Sequence, residues 1–179
     1  MNLFRTLRGI ALFSLAAVSI SSCLTPPDFS DKPKIEVEGV TVFRLGGTFG
    51  IRDSIEIALR FEDGDGDLGL DKTDNTGPFD YNGGRNRYYE NFFLQSFYKN
   101  RQGIFVPLTP LGKDNGRFIR LTKADAKPGP LQGILRRSLP FKLDTAFAYR
   151  PGTEYKFEVS IADRSLNESN VVTTNTVRL

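Results

Sequence analysis

The chain has no histidine and no tryptophan, and only one cysteine and one methionine in 179 residues. Without imidazole, both the usual proton carrier near neutral pH and the commonest transition-metal ligand are missing. With a single thiol, Cys23, neither a disulfide nor a thiolate cage can form within the chain. These absences argue against zinc and copper and exclude nucleophile–imidazole pairs; no serine stands in a nucleophile elbow either. A run long enough to span a bilayer is also missing, since the apolar stretch from Ile10 to Ile20 falls short of the about 20 residues required. The charge is close to balance, 24 basic against 21 acidic side chains, which implies no nucleic-acid partner.

The N-terminus is ordered like an export signal: Arg5 and Arg8 with no acid beside them, the apolar run, then Ile20-Ser21-Ser22-Cys23. A branched apolar residue and two small ones before a cysteine resemble the lipobox of bacterial lipoproteins. That resemblance implies cleavage before Cys23 and acyl chains on its thiol and new amino group, which hold a protein on a membrane without a spanning helix. The competing reading, a free thiol buried in an ordinary N-terminal helix, leaves the order of the three parts unexplained. Residues 1–22 are therefore expected to be a signal peptide, 23–33 a lipid-anchored tether stiffened by Pro26, Pro27 and Pro33, and 34–179 the folded domain. Cleavage would remove two arginines and no acid, leaving 22 basic and 21 acidic side chains in a part large enough for one domain with a sizeable core.

Within that domain, apolar and polar residues alternate with period two. Ile35 and Val37 alternate with Glu36 and Glu38, Ile55, Ile57, Leu59 and Phe61 with Glu56, Ala58 and Arg60, and Tyr155, Phe157, Val159 and Ile161 with Lys156, Glu158 and Ser160. Further strand-like runs cover 40–45, 91–98, 104–108, 117–121, 131–143 with a bend near Pro140, and 171–179 as one closing strand. Glycine, proline and asparagine turns separate them, and no segment sustains a helical period. The expected fold class is all-β: an antiparallel immunoglobulin-like β-sandwich of about seven or eight strands.

Alternation stops from Asp63 to about Glu90, a longer gap than the ~12–15 residues usual for structureless loops. It opens with Asp63-Gly64-Asp65-Gly66-Asp67-Leu68-Gly69. Aspartates at alternate positions, with glycines that let the backbone curl, gather carboxylate oxygens around one point, the donor set of calcium. Asp63, Asp65, Asp67, Asp71 and Asp74 fall on ligand positions of an EF-hand loop, yet Leu68 stands where its sharp turn takes glycine, and a strand precedes the loop. The spacing predicts a calcium-type loop on a β-scaffold: Asp63, Asp65 and Asp67 as main ligands, a carbonyl near Gly69, and Asp71 or Asp74 completing the shell. Magnesium fits less well because it keeps its waters. The competing reading is that Asp–Gly repeats merely turn the chain.

In an immunoglobulin-like sandwich, the loop after the second strand shares a pole with the loop between the last two strands. Asp163 or Asn167 would then approach the same cation, unless Asp163 caps its own turn or pairs with Arg164. Arg85-Asn86-Arg87-Tyr88-Tyr89 offers cations and aromatics to a glycan or an anion; alternatively the aromatics begin the next strand's core and the arginines are solvated or paired. Asn167-Glu168-Ser169 fits the glycosylation triplet, for which a bacterial lipoprotein has no expected use.

The lipobox, the proline-bearing tether, the Phe61–Gly69 motif and the terminal Ile161-Ala162-Asp163-Arg164-Ser165-Leu166-Asn167-Glu168-Ser169-Asn170-Val171-Val172-Thr173-Thr174 together resemble lipoproteins of Bacteroidota with an immunoglobulin-like domain. The resemblance implies lipid anchoring in the bacterial cell envelope, at the outer membrane, with periplasmic or surface facing left open by the separated Asp28 and Asp31. It brings no activity with it. Three functions compete: a non-catalytic tethered module whose cation-ordered pole binds an envelope protein or glycan, a carboxylate-dependent hydrolase acting on glycan, and a structural subunit of an envelope assembly. The missing catalytic constellations favour the first.

Overall fold

The computed structural model describes residues 26–45, 52–108, 114–142 and 149–179. The expected signal peptide, Cys23, the turn at Gly46-Gly47 and the connection at Asp144-Thr145 lie outside them. Eight strands follow in order: β1 (Lys34–Leu45), β2 (Arg52–Asp63), β3 (Phe92–Lys99), β4 (Phe105–Pro107), β5 (Leu131–Lys142), β6 (Glu154–Ile161), β7 (Val172–Thr173) and β8 (Val177–Arg178). They make two antiparallel sheets, β1-β2-β5 and β4-β3-β6-β7, with β8 also pairing β6. Helical structure among the described residues amounts to three short 3-10 turns, Gly77–Phe79, Asn82–Gly84 and Arg87–Tyr89, all within the long loop. The described residues are therefore all-β, as their alternation predicts, and no helix among them is long and apolar enough to cross a membrane.

The inward stripe of β2, Ile55, Ile57, Leu59 and Phe61, is at most 5% exposed and packs in one core with Phe92, Phe157, Val159 and Ile161 of the other sheet. Each such side chain contributes about 1.5–3 kcal/mol by leaving water. Between Val37 and Gly39 the β1–β2 register slips. A bulge there moves the inward set from odd Ile35 and Val37 to even Val40 and Val42, so the alternating run and the 40–45 run form one strand.

Three expected elements differ. The ladder continues through Pro140, opposite Ser54; β5 pairs only β2 among the described strands, and an edge strand tolerates the missing donor. Residues 117–121 are not a strand. Their backbone bonds to Leu68 and Leu70, while Asn91 occupies both polar groups of Phe118 with its side chain. The closing strand is split into β7 and β8 because the Thr174 hydroxyl accepts the Phe157 N–H, taking a ladder place that a carbonyl would otherwise fill.

The last part of the expected tether is held against the domain. The Gly64 N–H donates to the Ser30 carbonyl at 2.8 Å, and the backbone of Phe29 to Asp31 lies against Gly64.

Candidate cation site

Inward parity does not end with the hydrophobic stripe. Continuing Ile55, Ile57, Leu59, Phe61 by one step gives Asp63, the last residue of β2; continuing Tyr155, Phe157, Val159, Ile161 by one step gives Asp163. Both carboxylates thus point where the core residues point, one from each sheet, and they are 0% and 1% exposed. An antiparallel bridge between Leu68 and Asp163 ties the aspartate loop to the chain leaving β6. Oxygens of Asp63, Asp67 and Asp163 all lie within 4.8 Å of one another.

The loop reaches this arrangement through two glycines whose backbone no other residue suits. Gly66 has φ +72° and Gly69 φ +95°, and a Cβ on either would run into backbone, the Gly129 carbonyl in one case and Ile119–Arg120 in the other. Hydrogen bonds from Gly129 to Asp65 and from Leu121 to Leu68 hold those neighbours in place.

The three carboxylates are satisfied unequally. Asp67 accepts the Ser165 hydroxyl at 2.8 Å and, weakly, the Arg164 N–H at 3.4 Å. Asp163 accepts the Asn167 N–H at 2.7 Å and its side-chain amide at 2.8 Å, so it caps its own turn and still has lone pairs free. Both oxygens of Asp63 are buried without a hydrogen-bond partner among the described residues. Burial is the main cause that pushes the Asp63 carboxyl up to about 7, reinforced by Asp65, Asp67 and Asp163; the Asp67 amide, outside hydrogen-bonding geometry, offsets little of it. Asp163 is raised too, first by burial, despite the Asn167 bonds that pull it down. Asp65 is raised by burial and by Asp67.

The expected ligands therefore divide. Asp63 and Asp67 meet at one point together with Asp163, whereas Asp65 lies outside the trio and bonds weakly to the Asp67 N–H at 3.4 Å. Asp71 and Asp74 are engaged elsewhere: both Asp74 oxygens take the Arg164 guanidinium, one of them also takes the Asp71 N–H, and Asp71 lies 3.7–3.8 Å from Arg120 and Arg164. The Arg164 pair accordingly holds Asp74 below the ordinary carboxylate range. Asn167 acts as the partner of Asp163, to which both its backbone N–H and its side-chain amide donate. Arg87 makes a forked pair with Glu168 and stacks over Phe93, and Arg117 lies over Tyr89, so Arg87 and Tyr89 are used internally, while Arg85 is exposed.

Sequence spacing alone weights Asp71 and Asp74 as heavily as Asp163. The signal that separates them is the stripe of four inward apolar residues ending in aspartate, which occurs twice, in β2 and in β6. No family model, no curated protein and no solved structure matches this chain, so the site is read from its own geometry.

Proposed function

We propose that the chain is a non-catalytic, lipid-anchored module of the bacterial cell envelope, with an immunoglobulin-like fold whose loop pole binds calcium. The observation that carries the cation is Asp63: a carboxylate with no exposure and no hydrogen-bond partner among the described residues, facing two more carboxylates. Burying such a group uncompensated costs several kcal/mol, and a hard cation with oxygen ligands offsets that cost. Asp63, Asp67 and Asp163 would supply the protein ligands. Calcium suits this irregular set better than magnesium, which demands near-ideal octahedral geometry.

Two features support the immunoglobulin-like reading. First, second and fifth strands stand against third, sixth and last, and β4 pairs β3 as an added edge. Tyr155, at the start of β6, accepts the Arg150 N–H on its hydroxyl at 2.7 Å, the contact of a tyrosine corner. The anchor rests on Ile20-Ser21-Ser22-Cys23 and its place after the apolar run. A hydrolase needs its carboxylates within reach of a glycan. Asp63 and Asp163 are buried, and a cleft of about 520 Å³ lies at the other end of β6, with no carboxylate among its described lining residues.

The test is a thermal melt of the purified protein in calcium, in magnesium and in chelator. Calcium at about 100 times its dissociation constant adds roughly 2.7 kcal/mol, a rise of about 5 to 11 °C at this size. No rise at millimolar calcium would reduce the motif to a turn.

A further inference from the structure

We propose that the cation pole is also the membrane-facing end of the domain, with the exposed segment Ile119–Lys127 resting on an anionic lipid surface. The proposal rests on the lipid-anchor reading above and adds an orientation to it.

Chain length sets the first constraint. Ser30 is fixed to Gly64 through its carbonyl, and only seven residue steps separate it from Cys23. Fully extended, those steps reach about 25 Å. β2, with 12 residues, runs about 40 Å from Arg52 to the same pole. An acyl chain on Cys23 therefore holds Gly64 within about 25 Å of the bilayer, a limit that does not apply to the Arg52 end of the sandwich.

The surface found at that pole has the chemistry such a position calls for. Leu121 donates to the Leu68 carbonyl and Ile119 lies over Gly69, so the segment sits directly on the aspartate loop. Phe118 is buried beneath it, whereas Ile119 is 73% and Leu121 37% exposed. Lys123 and Lys127 follow, both exposed, with Lys32 and Lys72 exposed on the adjoining tether and loop. Exposed acids face the same region at Asp28, Asp31 and Asp125. Within Ile119–Lys127 itself, Arg120, Lys123 and Lys127 stand against Asp125 alone, so the segment is basic although the wider pole, with a divalent cation on the Asp63 trio, is close to neutral. Two protruding apolar side chains flanked by lysines are the pattern of a segment that enters the headgroup region of an anionic bilayer.

The absence of tryptophan gives a clean reporter. Ile119→Trp and, at the far end of β1, Phe43→Trp are made in the full chain, purified from membranes and reconstituted in phosphatidylethanolamine–phosphatidylglycerol vesicles with calcium. Lipids brominated on their acyl chains are expected to quench the indole at 119 at least twofold and iodide to leave it bright. The indole at 43 should respond the opposite way, and Lys123→Glu with Lys127→Glu should lower the lipid quenching at 119. An indole at 119 open to iodide overturns the orientation. One shielded from both quenchers also overturns it, and indicates a protein surface or second copy. Flotation reads the anchor separately: a chain that does not float with the vesicles sinks the anchor and the docking together, whereas one that floats with position 119 open to iodide sinks the docking alone.

Discussion

Asp63 shows how a single position can carry both the fold's register and its chemistry. Its side chain continues the core stripe, so the backbone that buries Phe61 also buries a carboxylate. Without a cation, the folded chain keeps that proton up to about pH 7, while an unfolded chain releases it near the ordinary 3.8. The folded state therefore binds the extra proton between those values, and stability from this group is fullest below the lower one and lost as pH rises through the upper. The loss is on the order of a few kcal/mol. Comparing parent and Asp63→Asn in chelator isolates it: the parent should lose more melting temperature than the variant between pH 5 and pH 8, and equal slopes would contradict the burial argument. The ligand assignment has its own test at this scale. Calorimetric titration is expected to show calcium binding weakened at least tenfold by Asp67→Asn and by Asp163→Asn. Asp74→Asn should instead lower the melting temperature through loss of the Arg164 pair, about 1–3 kcal/mol, with affinity little changed. The opposite pattern would restore the EF-hand spacing as the correct guide.

Strands were legible in the sequence wherever one face is wet. β1, β2 and β6 are found where alternation places them and β3 where an apolar, strand-like run does, whereas the Val37/Gly39 slip is visible only in the register. What alternation cannot reveal is a segment held by side chains in place of a ladder. Residues 117–121 read as a strand because apolar and basic residues alternate, but their partner is Asn91, 1% exposed, whose amide gives one hydrogen bond and takes one at Phe118. Asn170 does the same to both polar groups of Ile35, tying the loop between β6 and β7 to β1. Such contacts depend on residues far apart in the chain and leave no period behind. Asn91→Ala would strand the Phe118 amide, while the Phe118 carbonyl keeps the Leu70 N–H, at a cost of about 1–3 kcal/mol. A urea titration should show a lower midpoint with unchanged slope; a shift under about 0.5 kcal/mol would mean that water replaces the side chain and that the segment is held by Leu68 and Leu70 alone.

At the scale of the whole molecule, the two sheets are joined through apolar contact, which has no direction, and at one pole by groups that do. Asp63 ends β2 in the first sheet and Asp163 follows β6 in the second, with the Arg164–Asp74 pair beside them. A cation held by Asp63, Asp67 and Asp163 would therefore be a link between sheets as well as an ordering of one loop. The sequence contained the loop, and sandwich topology pointed to Asp163 or Asn167, about a hundred residues further on, as approaching it; which of the two faces the loop aspartates is decided by the common inward parity of two stripes. Native-state hydrogen exchange separates the two pictures. With an inter-sheet link, adding calcium slows the amides of 63–70 and of 162–169 together, while those at the Tyr98–Tyr155 end of the second sheet keep their rates. If the cation organised the Asp–Gly loop by itself, protection would rise in 63–70 and the Ala162–Ser169 turn would exchange as before. The second result would leave Asp163 as a turn cap whose burial serves Asn167 alone.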